Sequence, residues 1–202
     1  KYIDELKRLK IELLPPDINR SELEFSVGKI GDEDAIIFGL GAIKGLGRVA
    51  IEKILEERRV TPFKDLEDFI NRIDPQKVNK KALESLIKAG ALDSLKFSRK
   101  AMIQNIESLI ETSKTSERIK DDAQNSLFCD DNEVSIVPLN ISNSEEYSQK
   151  EILELEKESL GFYVSGHPLD SYRSDIETLN ITLSSELDEL DDGSEALFIG
   201  KI

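Results

Sequence analysis

Gly39-Leu40-Gly41-Ala42-Ile43-Lys44-Gly45-Leu46-Gly47-Arg48 is the stretch on which the reading of this chain turns. Gly45 and Gly47 flank a single apolar residue, and an amphipathic pattern with Val49, Ala50, Ile54 and Leu55 follows at once, predicting a helix from Gly47 to Arg58. A tight turn in front of a helix leaves its first amides without intrahelical partners, and glycine lets an anion approach them with no side chain in the way. Lys44 and Arg48 bring positive charge to the same place. The competing reading is an ordinary glycine turn between two packed helices. Nucleotide binding is weaker, because the run fits neither Gly-x-Gly-x-x-Gly nor the phosphate loop that ends in Lys-Ser/Thr.

Such a turn is the helix-hairpin-helix pattern, in which backbone amides hold the phosphates of one DNA strand without reading its sequence. The site residues expected for duplex DNA are therefore Lys44, Gly45, Leu46, Gly47 and Arg48. A second candidate hairpin, Asp74-Pro75-Gln76-Lys77-Val78-Asn79-Lys80-Lys81, is again basic and between helices, but has no glycine pair. Lys77, Lys80 and Lys81 read either as further DNA contacts in a tandem arrangement or as a solvated helix start.

Outward from the hairpin, Thr61-Pro62 is expected to open a helix with Phe63, Leu66, Phe69, Ile70 and Ile73 on its buried stripe, stopped by Asp74-Pro75. Asn79 caps the next helix, which Gly90 closes, and Ser98 starts a longer one that ends before Asp121. Upstream, Tyr2, Ile3, Leu6 and Leu9 form a helical stripe ended by Pro15-Pro16, and residues 27–39 read as a two-stranded hairpin. Downstream, residues 121–147 are rich in Asp, Asn, Ser and Glu and read as an exposed, mobile connection, after which Ser148 and Glu151 make a capping box for a helix ending at Gly161. The terminal run Ala196-Leu197-Phe198-Ile199 reads as the first strand of a further domain. The expected fold is mainly α, a helix-hairpin-helix domain with a small β-hairpin on its N-terminal side.

Hydrophobic residues make up 39% of the 202, enough for a core, while the net charge of −14 argues against nucleic acid taken as an average. The average conceals a division: residues 39–100 hold 14 Lys and Arg against 9 Asp and Glu, leaving 13 against 32 elsewhere. A basic segment between acidic ones suits a face that meets phosphates while the rest meets solvent or protein. One cysteine, Cys129, and no apolar run near the roughly 20 residues that span a bilayer point to a cytoplasmic address without membrane contact. No catalytic constellation is visible. His167 stands alone before a proline, Cys129 lacks a basic neighbourhood, and the carboxylates are scattered, so neither metal nor cofactor is expected in this segment. Both ends read as cuts in a longer chain.

Within the acidic connection, Gln124-Asn125-Ser126-Leu127-Phe128 places two adjacent apolar side chains in polar surroundings. They either fold back into the core or serve a partner's pocket.

Four ordered blocks resemble the bacterial DNA polymerase III alpha subunits: Leu6 to Asn19, Phe38 to Gly47, Val78 to Asp93, and Glu156-Lys157-Glu158-Ser159-Leu160-Gly161-Phe162-Tyr163-Val164-Ser165-Gly166-His167-Pro168-Leu169. The resemblance implies a division into the end of a fingers domain (1–20), a tandem helix-hairpin-helix region (21–120), a connection carrying a clamp-binding peptide (121–147), a helical connector (148–195) and the start of an OB-fold (196–202). It implies that the polymerase carboxylates, and the Mg they use, belong to a palm domain outside this segment. It also implies duplex DNA, the sliding clamp and other holoenzyme subunits as partners, with Gln124, Leu127 and Phe128 matching a Gln-x-x-Leu/Met-Phe-like clamp peptide. The alternatives are an acidic connector that docks replication proteins without touching DNA, and a helix-hairpin-helix module of a repair enzyme.

Overall fold

Hydrophobic periodicity and helix caps decide most of the architecture of the computed structural model, which describes residues 5, 6, 8, 9, 11–125, 136–172 and the single positions 178, 182, 193 and 197. Residues up to 164 form one compact unit and those from 165 a second. Six α-helices and one three-stranded sheet lie among the described residues of the first unit.

Strands β2 (Ser26–Ile30) and β3 (Glu33–Ile37) make the expected antiparallel hairpin, turned at Gly31 with φ +59°. A third strand, β1 (Glu12–Leu14), pairs parallel with β3 through Glu12–Ala35 and Leu14–Ile37. The sequence reading carried a helical stripe into this region. The residue before a proline is driven to extended backbone, and here β3 supplies the ladder that makes the extension a strand. Nothing local announces that partner.

Helix α1 (Arg48–Val60) buries Ala50, Ile51, Ile54 and Leu55. Thr61 closes it by donating its amide to Glu57, so Thr61 is not the cap of the next helix. That helix, α2 (Leu66–Arg72), starts later, capped by Asp65, whose carboxylate accepts the Asp68 amide at 2.8 Å. The delay has a tertiary cause: the Asn19 side-chain amide binds the carbonyl and the N–H of Phe63, both at 2.8 Å, and holds that residue outside a helix. Helix α3 (Lys80–Lys88) has Asn79 as its cap and Gly90, φ +78°, just past its end.

The single long helix expected from Ser98 is two helices. Ser98 caps α4 (Arg99–Gln104), and Asn105 breaks the run with φ −109° and ψ 17°, its side-chain amide donating back to the Ala101 carbonyl at 2.9 Å. Helix α5 (Ile106–Asn125) then continues past the expected stop at Asp121, since no glycine or proline interrupts it and Lys120 Nζ is tied to the Asn71 carbonyl at 2.6 Å. Helix α6 (Gln149–Leu160) opens with the predicted capping box of Ser148 and Glu151 and ends at Gly161, φ +90°.

Residues 136–147 have no helical or strand structure, as expected, but they are fastened rather than loose. Asn71, 6% exposed, donates to the Val137 carbonyl at 3.0 Å and accepts the Val137 amide at 2.9 Å, and Leu139 donates to Glu67. Glu146 accepts the amides of Arg99 and Lys100. These bonds join residues 46 to 72 positions apart in sequence, which no local pattern reveals.

The core gathers Phe38, Leu40, Ile54, Phe69, Leu86 and Ile87 between the hairpin loop and helices α1 to α3, with Leu160 of α6 packed on the same cluster. Arg99 is nearly buried and answered by Asp93 at 2.7 Å and Glu156 at 3.5 Å. Desolvation works against its charge, and the Asp93 hydrogen bond with the surrounding carboxylates outweighs it. The expected terminal strand lies outside the described residues, apart from Leu197.

Candidate nucleic-acid interface

The loop that carries the glycines is set by backbone contacts before it reaches Gly45. Leu40 and Gly41 donate their amides to Glu22 and Leu23 at 2.8 and 2.9 Å, and a Cβ on Gly39 would lie 2.5 Å from the backbone of Glu24. Gly39 and Gly41 therefore serve this close approach. Leu40, Ile43 and Leu46 are buried, fixing one side of the loop, while Lys44, Gly45, Gly47 and Arg48 are exposed on the other.

Gly45 has φ +82°, and a Cβ there would meet Ser85 Oγ at 2.8 Å. The turn and the packing against α3 both require glycine. Gly47 differs: its φ of −77° suits any residue, and nothing lies within 4 Å of a Cβ built on it. The fold does not ask for glycine at this position.

The caps sharpen the contrast. Asp65, Asn79, Ser98 and Ser148 each place a side-chain oxygen on the third amide of the helix that follows. Gly47 caps α1 with no side chain, and the first turn of α1 holds no acidic residue. Among the described residues no acceptor is recorded for the amides of Gly45, Gly47, Arg48 or Val49. Open amides, the positive end of a three-turn helix and an approach without a side chain coincide here.

Of the predicted cations, the structure brings Lys44, Arg48 and Lys81 to the same loop. The Lys44 amide donates to the Ser159 carbonyl at 2.9 Å, and its ammonium lies 3.4 Å from where a Gly161 Cβ would stand. Arg48 is exposed and pairs with Glu52 at 2.9 Å, a hydrogen bond that raises its pKa. Lys81, predicted as part of the second hairpin, has its Cε 3.6 Å from the Gly45 Cβ position, so it stands beside the first. Lys80 turns the other way and pairs with Glu107 of α5, which raises its pKa.

In the second hairpin, between α2 and α3, the amides of residues 76–78 and of Ala82 are occupied. Asp74 accepts Gln76 and Lys77 on its carboxylate and Lys77 and Val78 on its carbonyl, and Asn79 accepts Ala82. A carboxylate covers the turn before α3 and a side chain caps the helix, whereas Gly47 leaves the start of α1 without either. Glu117 stands near it, and burial first, then the charges of Asp74 and Asp121, push its carboxyl up. Lys77 is exposed at this turn.

Gln124 falls in the last turn of α5 rather than in an aperiodic loop, whereas Leu127, Phe128 and Cys129 lie outside the described residues. In the second unit, the His167 amide donates to Asp170 at 2.6 Å and His167 Nδ1 accepts the Leu169 amide at 3.2 Å, a turn-forming role. Among the described residues no group of three His, Cys, Asp or Glu is arranged to hold a metal, and no helix is long and apolar enough to cross a membrane. Sequence reasoning missed Ser85 and Ser159; their only sequence signal is that each lies within a block that resembles the polymerases.

A family model described as a helix-hairpin-helix motif matches residues 10–102. Over 202 residues, its full length, the chain is 46% identical to DNA polymerase III subunit alpha of Campylobacter jejuni, covering 17% of that protein. It is 41% identical to the corresponding subunit of Helicobacter pylori, covering 18%, and 39% identical to that of Aquifex aeolicus, covering 16%, again along the whole chain. The chain thus spans about a sixth of the length of these relatives.

Proposed function

Since this chain belongs to the DNA polymerase III alpha subunits, as a segment matched from end to end, we propose that it holds duplex DNA for a replicative polymerase and tethers that polymerase to its sliding clamp, without chemistry of its own. The observation that carries the DNA half is the start of α1: a helix whose cap lacks a side chain, at a glycine the fold does not need. Phosphate oxygens accept from the amides of Gly47, Arg48 and Val49, while Lys44 and Arg48 add screened attraction. Such contacts read no bases, so binding is independent of sequence. The second hairpin, with Asp74 on its amides, supports the first and does not share its load.

The clamp half rests on Gln124, Leu127 and Phe128. The C-terminal turn of α5 has carbonyls without intrahelical partners, so releasing Gln124 into an extended peptide costs little. Leu127→Ala with Phe128→Ala should remove most clamp affinity, on the order of 2 kcal/mol or more, while Asn125→Ala and Ser126→Ala matter little. If the double substitution leaves clamp affinity intact and lowers the melting temperature instead, those side chains are core.

Duplex affinity measured across a salt series tests the DNA half. Lys44→Ala with Arg48→Ala should weaken binding and lower the salt slope by about two, whereas Lys77→Ala should do neither. A chain with no salt-sensitive duplex binding would instead be an acidic connector for protein partners.

A further inference from the structure

An open cleft of about 330 Å³ lies between the hairpin loop, α3 and the end of α6, lined by Lys44, Gly45, Lys81, Ser85, Lys88 and Ser159 together with the carboxylates Glu84 and Glu158. Three features mark it as a site and not a packing gap. Ser85 directs its hydroxyl at Gly45, 2.8 Å from the Cβ position, and no partner for that hydroxyl is recorded among the described residues. Lys81 reaches the same point from one turn earlier on α3, and no ion pair is recorded for it or for Lys44 among the described residues. Lys88, by contrast, is held at 2.9 Å by both Glu84 and Glu158, whose hydrogen bonds raise its pKa.

Resting on the DNA-holding function given above, we propose that this cleft seats a second backbone phosphate of the strand held at Gly47, with Ser85 Oγ and the ammonium groups of Lys81 and Lys44 as its donors. The Lys81 and Lys44 ammonium groups only donate and the Ser85 hydroxyl can donate beside them, while the two carboxylates that share the cleft, Glu84 and Glu158, are both paired with Lys88, so the charge left at the Gly45 wall is positive and suits a phosphate diester. The geometry assigns Lys81 to the first hairpin and gives Ser85 a part in binding. Glu158, largely exposed at the rim and paired with Lys88, opposes the incoming phosphate and keeps Lys88 in reserve.

Anisotropy of a labelled duplex titrated with the chain at several salt concentrations tests this. Lys81→Ala with Ser85→Ala should weaken binding roughly fivefold or more and lower the salt slope by about one. Lys80→Ala, paired with Glu107 on the far side, should change neither. Glu158→Gln should strengthen binding beyond Glu111→Gln, which removes the same charge from an exposed site on α5; a role confined to folding would not produce that gain, and the substitution of an exposed side chain keeps the test sound if the double variant folds poorly. If the Lys81 and Ser85 variant binds as well as the parent while Lys44→Ala with Arg48→Ala binds worse, the cleft is empty and only the hairpin reading survives. If neither pair alters binding, both are overturned.

Discussion

The backbone N–H of Lys44 donates to the carbonyl of Ser159 at 2.9 Å, joining the glycine loop to the last turn of α6. Each partner solves the other's problem: the carbonyl is one that a helix end leaves without an intrahelical donor, and the amide belongs to a loop with few acceptors of its own. The glycine loop is thereby positioned by a helix outside residues 10–102, the span of the helix-hairpin-helix match.

The end of α6 should therefore matter to the loop. Gly161 has φ +90°, and a Cβ on it would stand 3.4 Å from Lys44 Nζ. Gly161→Ala should cost about 1 kcal/mol from backbone strain, lowering Tm by about 2–4 °C, and should weaken duplex binding although residue 161 is not a phosphate donor. Unchanged thermal and binding curves would show that the loop keeps its shape without this contact.

The two glycines of the loop should separate stability from binding. Gly45→Ala meets both a positive φ and Ser85, so Tm should fall by an amount matching about 1–2 kcal/mol. Gly47→Ala meets neither and should cost less than about 1 kcal/mol as a changed cap, yet it puts a methyl group into the open approach beside the uncapped helix start and should weaken duplex binding. Equal thermal losses from the two would contradict the assignment.

Glu117 supplies a pH signature. Its carboxyl is pushed up, first by burial and then by Asp74 and Asp121, so the folded chain binds the proton more tightly than the unfolded chain. A raised carboxyl weakens the fold where it is ionised, and that penalty disappears as pH falls through the folded pKa. Glu117→Gln should raise Tm at neutral pH, with a gain that shrinks in the acid range where the native side chain is itself uncharged. Thermal melts of both forms across that range check the sign.

Local chemistry was legible where the chain decides by itself. Asn79, Ser98 and the Ser148–Glu151 capping box act as their sequence positions indicate, as do the left-handed glycines Gly90 and Gly161. The β2–β3 hairpin follows from alternation around Gly31. What escaped was set at a distance. β1 exists because β3 offers it an edge, α2 starts late because Asn19 grips Phe63, and residues 136–147 are held by Asn71, Glu67 and the first amides of α4. The glycine loop was visible as a tight turn before a helix, but the sequence could not apportion its glycines. Gly39 and Gly41 answer to the backbone of residues 22–25, Gly45 to α3, and Gly47 to open space. Nor could it move Lys81 to the first hairpin or show Asp74 taking the amides of residues 76–78 in the second.

The central claim, that the first hairpin holds DNA by its open amides while the second does not, is tested most directly by following backbone amide resonances of the isotopically labelled chain during titration with duplex DNA. The account predicts the largest shifts at Gly47, Arg48 and Val49, lost as salt rises, with Gln76, Lys77 and Val78 nearly unmoved. Shifts centred on residues 76–78, or none at Gly47 under conditions where the duplex is bound, would contradict it.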